Sequence, residues 1–231
     1  MVDIVEVKSR KQLKEFIYFP FRLYEDNPYW VPPLIMDEYN TLDKRKNPAF
    51  EYCDAKYWLA YKNGELVGRI AGIQNHAYVE KWDNKYTRFG WIDFIDDTEV
   101  SKALLETVEN WAAEQGMEAV HGPLGFCDLD KQGMLVEGFE EMGSIITYYH
   151  HPYYKEHMKL HGYKKDVDWF EFEIDLDKFD QEDRLNKVSE RALEKEGLTI
   201  LHIKNRNDFK PYFTEIFEVL DVAFKDLYGV V

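Results

Sequence analysis

The stretch WLAYKNGELVGRIAGI, residues 58–73, decides the fold. Two apolar runs flank Lys62-Asn63-Gly64-Glu65. Asn-Gly at the centre of such a pair specifies a type I′ hairpin, because both central residues need positive φ. Upstream, residues 3–8 alternate as a short strand does. Ser9 comes next, with Gln12 at capping-box spacing, so a helix starts there and runs into the aromatic stretch FIYFPFRLY (16–24). Pro20, Pro28, Pro32 and Pro33 are expected to cut the chain from there on into short turns, and 41–56 reads as a polar loop.

Downstream, TRFGWIDFI (87–95) is a further strand. The helix after it carries an apolar stripe of Val100, Ala103, Leu104, Thr107, Val108, Trp111 and Ala112. Asp96 and Glu99 have capping-box spacing at its start, and Gly116 ends it. MEAVHGPL (117–124) reads as a strand and 125–143 as a Gly-rich loop. A helix over 151–163 has Pro152 at its first position and Gly162 at its stop. The alternation of Val167, Trp169 or Phe170, Phe172 and Ile174 predicts one more strand, and 178–197 is polar and helical.

Near its end the chain repeats its opening. ILHIKNRNDFKPY (200–212) matches IVEVKSRKQLKEF (4–16) at Ile4/Ile200, Lys8/Lys204, Arg10/Arg206 and Lys14/Lys210. The expected organisation is a domain over 1–175, a helical connector over 176–197, and over 198–231 the first strand and helix of a second, truncated unit of the same kind. Four identities also fit chance likeness between two strand–helix pairs.

Composition narrows the function. The formal charge is −15, from 29 basic and 44 acidic residues, a field that repels nucleic acid and anionic membranes. No window approaches the roughly 20 apolar residues of a membrane span. MVDIVEVKSRK lacks the apolar run of a secretory signal, and two cysteines imply no disulfide framework. A cytoplasmic protein is expected; homo-oligomer formation stays open.

Three stretches, WLAYKNGELVGRIAGI, WIDFI with the helix from Asp97, and YYKEHMKLHGYKKD, resemble the GNAT superfamily of acyl-CoA N-acyltransferases in kind and order. The resemblance spans about residues 3–175. It implies an α/β fold with a mixed, mostly antiparallel central sheet flanked by helices, and strands four and five that part into a V-shaped notch. A ladder zipped continuously through Trp91 and Val120 would exclude it. It also implies acetyl-CoA or another acyl-CoA as donor and a small-molecule or peptide amine as acceptor, with direct attack on the thioester. Pantetheine would lie along the fourth strand at Phe94 and Ile95. The pyrophosphate would lie at the next helix start, on Thr98, Glu99, Val100 and Ser101. The family pattern there is Q/R-x-x-G-x-G/A, whereas this chain has DDTEVS. The family's acid, a Tyr four residues before the late Gly, falls on Met158; Tyr154 is the nearest substitute, with Tyr153 beside it. His121, at the end of the fifth strand, is the base candidate. Both tyrosines and the histidine also fit structural roles. The acidic loop keeps a second class open, a GNAT-like binding or scaffold protein without CoA affinity.

Other groupings carry less. His157 and His161 are four apart on one helix face with His150 and His151 nearby, but no third ligand is evident, so no metal is expected. Cys127 has no histidine at a defined spacing that would make it a nucleophile. The 121–139 segment is long enough to form an acceptor lid, or to close over the sheet edge.

Overall fold

The computed structural model describes residues 1–175 and 182–230. It divides into two units, Met1–Asp168 with Tyr228–Val231, and Trp169–Leu227. The first holds a five-stranded sheet in sequence order: β1 (Val2–Glu6), β2 (Cys53–Lys62), β3 (Glu65–Asn75), β4 (Tyr86–Phe94) and β5 (Ala119–His121). The first three pairings are antiparallel and β4–β5 is parallel. Asn63 and Gly64 both take positive φ in the β2–β3 turn, at 53° and 82°, as the hairpin motif requires.

Alternation on the strands feeds two layers. Trp58, Ala60, Ile70, Phe89 and Ile92 face α4 (Thr98–Glu114), which packs Val100, Leu104, Val108 and Trp111 on them. Tyr57, Leu59, Ala71, Ile73 and Trp91 face the other way, onto Phe16 and Ile17 of α1 (Arg10–Leu23) and Leu42 of α2 (Ile35–Leu42). The stripe read from the sequence is thus the buried face of α4. That helix comes close because β3 offers Gly72, where a Cβ would sit 2.8 Å from the Trp111 ring.

β4 carries the fold's main irregularity. Ala71 pairs with Gly90 and Arg69 with Asp93, so two residues of β4 oppose Ile70 alone. Trp91, inside this bulge, has φ +44°, rare for a bulky residue. The β4–β5 ladder runs only from Tyr86↔Ala119 to Arg88↔His121. Beyond it β5 ends: Val120 pairs with Thr87 and not with Trp91, and the last tie of that chain to β4 is Leu124 N–H donating to Phe89 O at 2.8 Å.

Several expectations are corrected. Pro20 does not break α1. Its missing N–H leaves the Phe16 carbonyl, four residues back, without a helical donor, and Arg69 Nη1 supplies one at 2.9 Å. The 41–56 loop contains the end of α2, a 3₁₀ turn over Pro48–Glu51 and the start of β2. A short helix, α3 (His76–Trp82), caps on Asn75. Of 117–124 only three residues are strand, ended by Gly122 and Pro123. Asp97, not Asp96, caps α4. The late helix is α5 (Tyr153–Leu160), with Pro152 as its cap.

Residues 164–175 form no strand, although their pattern alternates; Trp169, Phe170, Phe172 and Ile174 are exposed. Alternation makes a strand only where a neighbour pairs its backbone. The second unit contains α6 (Glu182–Glu196), α7 (Arg206–Phe209) and α8 (Phe213–Phe224). Residues 198–203, the expected first strand of a repeat, have no regular structure, while Asn205 caps α7 with a capping box as Ser9 does α1. The part of the connector at 176–181 lies outside the described residues.

Gly90 tests the bulge. A Cβ there would lie 2.4 Å from the Leu124 carbonyl oxygen. Gly90→Ala is expected to destabilise the unit by about 1–3 kcal/mol, seen as a lowered urea midpoint at unchanged slope.

Candidate active site

Where β4 leaves β5, its last residue presents backbone groups that no strand pairs. Two tyrosines of α5 take them. Phe94 N–H donates to the Tyr154 hydroxyl at 3.0 Å, and the Tyr153 hydroxyl donates to the Phe94 carbonyl at 2.6 Å. Tyr154 is fully buried and its ring stacks on Phe94 at 4.2 Å. Tyr24, at the end of α1, donates to Asp93 Oδ1 at 3.0 Å and lies 3.2 Å from the Tyr154 oxygen. A hydroxyl has one proton, so with Tyr24 committed to Asp93 the Tyr154 proton points to Tyr24 or to Phe94 O. Burial first, then the charge of Asp93, pushes the Tyr154 phenol well above its usual range. It therefore stays protonated through the neutral range.

Asp93 is held in turn. Arg69 Nε and Nη2 both lie 2.8 Å from Asp93 Oδ2, and both residues are almost wholly buried. Such a charge pair persists only when fully hydrogen-bonded, and the Phe16 carbonyl takes the remaining arm of Arg69.

A narrow cleft opens beside this pair, on the α1–α2 face. Tyr24, Trp30, Glu38, Trp91 and Asp93 line it, and the 122–152 loop adds Lys131, Tyr148 and Tyr149. The long loop is thus a wall of the cleft. Trp91 Nε1 donates to Glu38 Oε2 at 2.9 Å. Burial raises the Glu38 carboxyl pKa, against the pull of Arg69. Burial lowers the Lys131 ammonium pKa, against the pull of Glu38. Lys131 Nζ sits 5.7 Å from the Tyr148 ring centroid. Groups pushed toward neutrality by burial, in a cleft, are the usual mark of a working site. The sequence did not single out Glu38, Asp93 or Lys131, since no short spacing links them. Asp93 and Arg69, charged in otherwise apolar strands, were the signal available.

The residues expected to hold CoA, pantetheine at Phe94 and Ile95 and phosphates from Thr98 to Ser101, are engaged internally, Phe94 through Tyr153 and Tyr154 as described. Glu99 N–H donates to Asp97 Oδ1 at 2.9 Å, and Val100 and Ser101 donate to the Asp97 carbonyl. Ile95 N–H donates to Val67 O at 3.0 Å. Lys62 Nζ lies 2.5 Å from Asp97 and 2.8 Å from Glu99, so the acidic helix start, Thr98 included, carries its own cation. Ser101 Oγ lies 2.8 Å from both His157 Nδ1 and His161 Nε2, and His157 Nε2 lies 3.0 Å from Asp96. The two histidines face a hydroxyl between them.

His121 lies apart from the cleft. It pairs with Arg88 in the ladder, its Nδ1 is 3.2 Å from the Tyr228 hydroxyl, and burial lowers its pKa to about 4. Cys53 is buried, its thiol pushed up to about 12 by burial; burial also raises the half-buried Cys127 thiol.

Strand order, strand directions and the long helix between the fourth and fifth strands follow the GNAT plan. The fold is of the GNAT type. No protein-family model matches the chain. Among curated proteins it is similar to Protein YghO of Escherichia coli (strain K12), 34% identical over 171 residues, 73% of this chain and 44% of that protein. It is also similar to Bacterial ceramide synthase of Caulobacter vibrioides, 27% identical over 232 residues, 99% of this chain and 59% of that protein. The chain spans about half the length of these relatives. A solved structure of a predicted acetyltransferase with acetyl-CoA, from Clostridium acetobutylicum, matches over 75% of this chain and 96% of its own, at 11% identity and TM-score 0.46. No helix among the described residues is long and apolar enough to cross a membrane.

Two buried histidines set a pH response. His150 accepts from Leu135 N–H at Nδ1 and, like His121, has its pKa lowered to about 4 by burial. In the unfolded chain a histidine titrates near 6.5. Between about 4 and 6.5 the unfolded state binds more protons, so stability is complete above that window and falls as pH drops through it. Each histidine contributes a slope of about 1.4 kcal/mol per pH unit inside the window. Denaturant midpoints measured from pH 7 to pH 4.5 are expected to fall, and less steeply in His150→Gln.

Proposed function

We propose that the Met1–Asp168 unit is an N-acyltransferase, moving an acyl group from acetyl-CoA or a longer acyl-CoA to a primary amine by direct attack. The observation that carries this reading is the short β4–β5 ladder, which stops at Arg88↔His121 and leaves the end of β4 without a strand on that side, with the Tyr154 hydroxyl set on Phe94 N–H. The notch supports a thioester at the end of β4, and the cleft, joined to it through Tyr24, supports an amine on the other side.

In this reading the amine nitrogen attacks the thioester carbonyl and a tetrahedral intermediate forms. Its collapse makes the amide and expels the CoA thiolate, which takes a proton from Tyr154. Glu38, with its raised pKa and its place in the cleft, is the group suited to accept the proton lost by the amine. His121 is given no proton to move. The donor's phosphates would meet Lys62 at the start of α4 once it exchanges Asp97 and Glu99 for them. A net charge of −15 suits a cationic acceptor. The relative named as a ceramide synthase supports a lipid amine, since a ceramide is an N-acylated one. A cytoplasmic location, where acyl-CoA is made, belongs to the same reading.

A specific observation favours a second reading, a GNAT-like binding protein without CoA affinity: Asp97 already occupies the first amides of α4. Thermal shift separates the two. A ligand at a hundred times its dissociation constant stabilises by about 2.7 kcal/mol, so acetyl-CoA or a longer acyl-CoA should raise the melting temperature measurably. No shift from any of them leaves the second reading.

If transfer occurs, Tyr154→Phe is expected to lower kcat by about 10²–10⁴, the usual contribution of a positioned acid, with little change in the KM of the donor. Release of free thiol measures it. An unchanged kcat would remove Tyr154 from the mechanism.

A further inference from the structure

A groove of about 600 Å³ opens at the β1 edge of the sheet, where the end of β1, the first turns of α1 and the turn after α2 meet. That is the size of a small-molecule site. It shares no lining residue with the cleft beside Trp91. Its floor is apolar: Leu42 and Tyr57 are buried, Val7 and Leu13 are half-buried beside them, and Met36 stands exposed at the mouth. Its rim carries Lys8, Arg10, Lys14, Lys44, Arg45 and Lys46 against one carboxylate, Asp43.

That balance is the reverse of the chain's, which has 29 basic and 44 acidic residues. The cations are also short of partners. Asp43 is taken by Arg45, which donates to both its oxygens, at 3.0 and 2.8 Å. Lys8 lies 3.6 Å from Glu6, and Lys46 donates to Asn40 at 2.9 Å. Among the described residues, Arg10, Lys14 and Lys44 have no carboxylate within ion-pair distance. No acidic residue in the first turn of α1 offsets the positive end of that helix. Like charges gathered on one concavity repel each other, and an anion seated among them removes that cost. The field of the acidic remainder is screened over about 8 Å at physiological ionic strength, so at the rim the local cations dominate.

The two parts of the groove call for a ligand with two parts. Several unpaired cations fit a head of more than one negative charge, as a phosphate monoester carries near neutral pH and a carboxylate does not. The floor of Val, Leu and Met is flexible aliphatic surface, suited to a hydrocarbon chain. A single-stranded nucleic acid would need flat rings to stack its bases, and a bilayer of anionic lipid would face the whole charge of −15.

We propose that this groove binds a single-chain lipid with a phosphate head, taken as a free molecule: the chain lies over Leu13, Leu42 and Tyr57, and the phosphate meets Arg10, Lys14 and Lys44. The site stands apart from the acyl-transfer reading and needs no thioester.

Calorimetric titration of the whole chain, with each probe below its micelle concentration, tests this. Dodecyl phosphate is expected to bind ten-fold or more tighter than dodecyl maltoside, which has the same chain and no charge, and than inorganic phosphate, which has no chain. The double charge reversal Lys14→Glu with Lys44→Glu changes two exposed side chains and should cut the preference for the phosphate below three-fold at an unchanged melting temperature. Lys14→Gln with Lys44→Gln, which introduces no new charge, should give an intermediate loss. Met36→Asp should weaken both chain-bearing probes. The proposal is overturned if the maltoside or inorganic phosphate binds as tightly as dodecyl phosphate, or if the preference survives both double variants. Sedimentation with vesicles of phosphatidylcholine and phosphatidic acid, without binding of monomeric dodecyl phosphate, would overturn it in favour of a bilayer surface. Binding that persists in Tyr154→Phe, with no thiol released from acetyl-CoA, would refute the enzyme and leave the lipid site standing.

Discussion

The structure depends on where Arg69 puts its three nitrogens. It joins β3 to β4 through Asp93, across the bulge that turns Trp91 to positive φ. It joins the sheet to α1 through the Phe16 carbonyl that Pro20 leaves open. An arginine can do this because its guanidinium is a planar fork with fixed donor directions; a lysine ammonium in the same place could not span both acceptors. With that joint in place, Tyr24 reaches Asp93, Tyr154 reaches Phe94, and the notch and the cleft meet on either side of one strand.

The opposite end of β4 is built on another principle. There Arg88 is buried against carbonyls, donating to Gly125 O at 3.1 Å and Gly229 O at 2.5 Å. Backbone oxygens carry only partial charge, and burial lowers the Arg88 pKa. β4 thus has the carboxylate-paired guanidinium of Arg69, from β3, near one end and its own carbonyl-lined Arg88 near the other.

Much of the fold could be read before any coordinates. The hairpin at Asn63-Gly64, the box at Ser9 and Gln12 and the stripe of α4 are local patterns with local causes, and each appears in place. What misled was pattern read alone. Residues 164–174 alternate as a strand should, yet a strand is made by the neighbour that pairs it. Pro20 signals a break, yet a helix tolerates proline when another donor, here Arg69 on a distant strand, serves the orphaned carbonyl. The cleft was less legible still. Glu38, Arg69, Asp93 and Lys131 come from a helix, two strands and a loop, and only the bulge in β4 and the path of that loop bring them together. Tyr154 was legible only as the nearest substitute for Met158, the position four residues before Gly162. Its tie to Phe94 was not, because that depends on β5 stopping early.

The two thiols have a practical corollary. Cys53 lies inside the core with its proton held up to about 12, and burial suppresses thiolate at Cys127 as well. Since only thiolate reacts with alkylating agents, oxidants and disulfide dyes, Cys53 should be nearly silent to them while the chain is folded, and the half-buried Cys127 slower than a free thiol. A Cys53 that becomes reactive therefore reports that the sheet around it has opened.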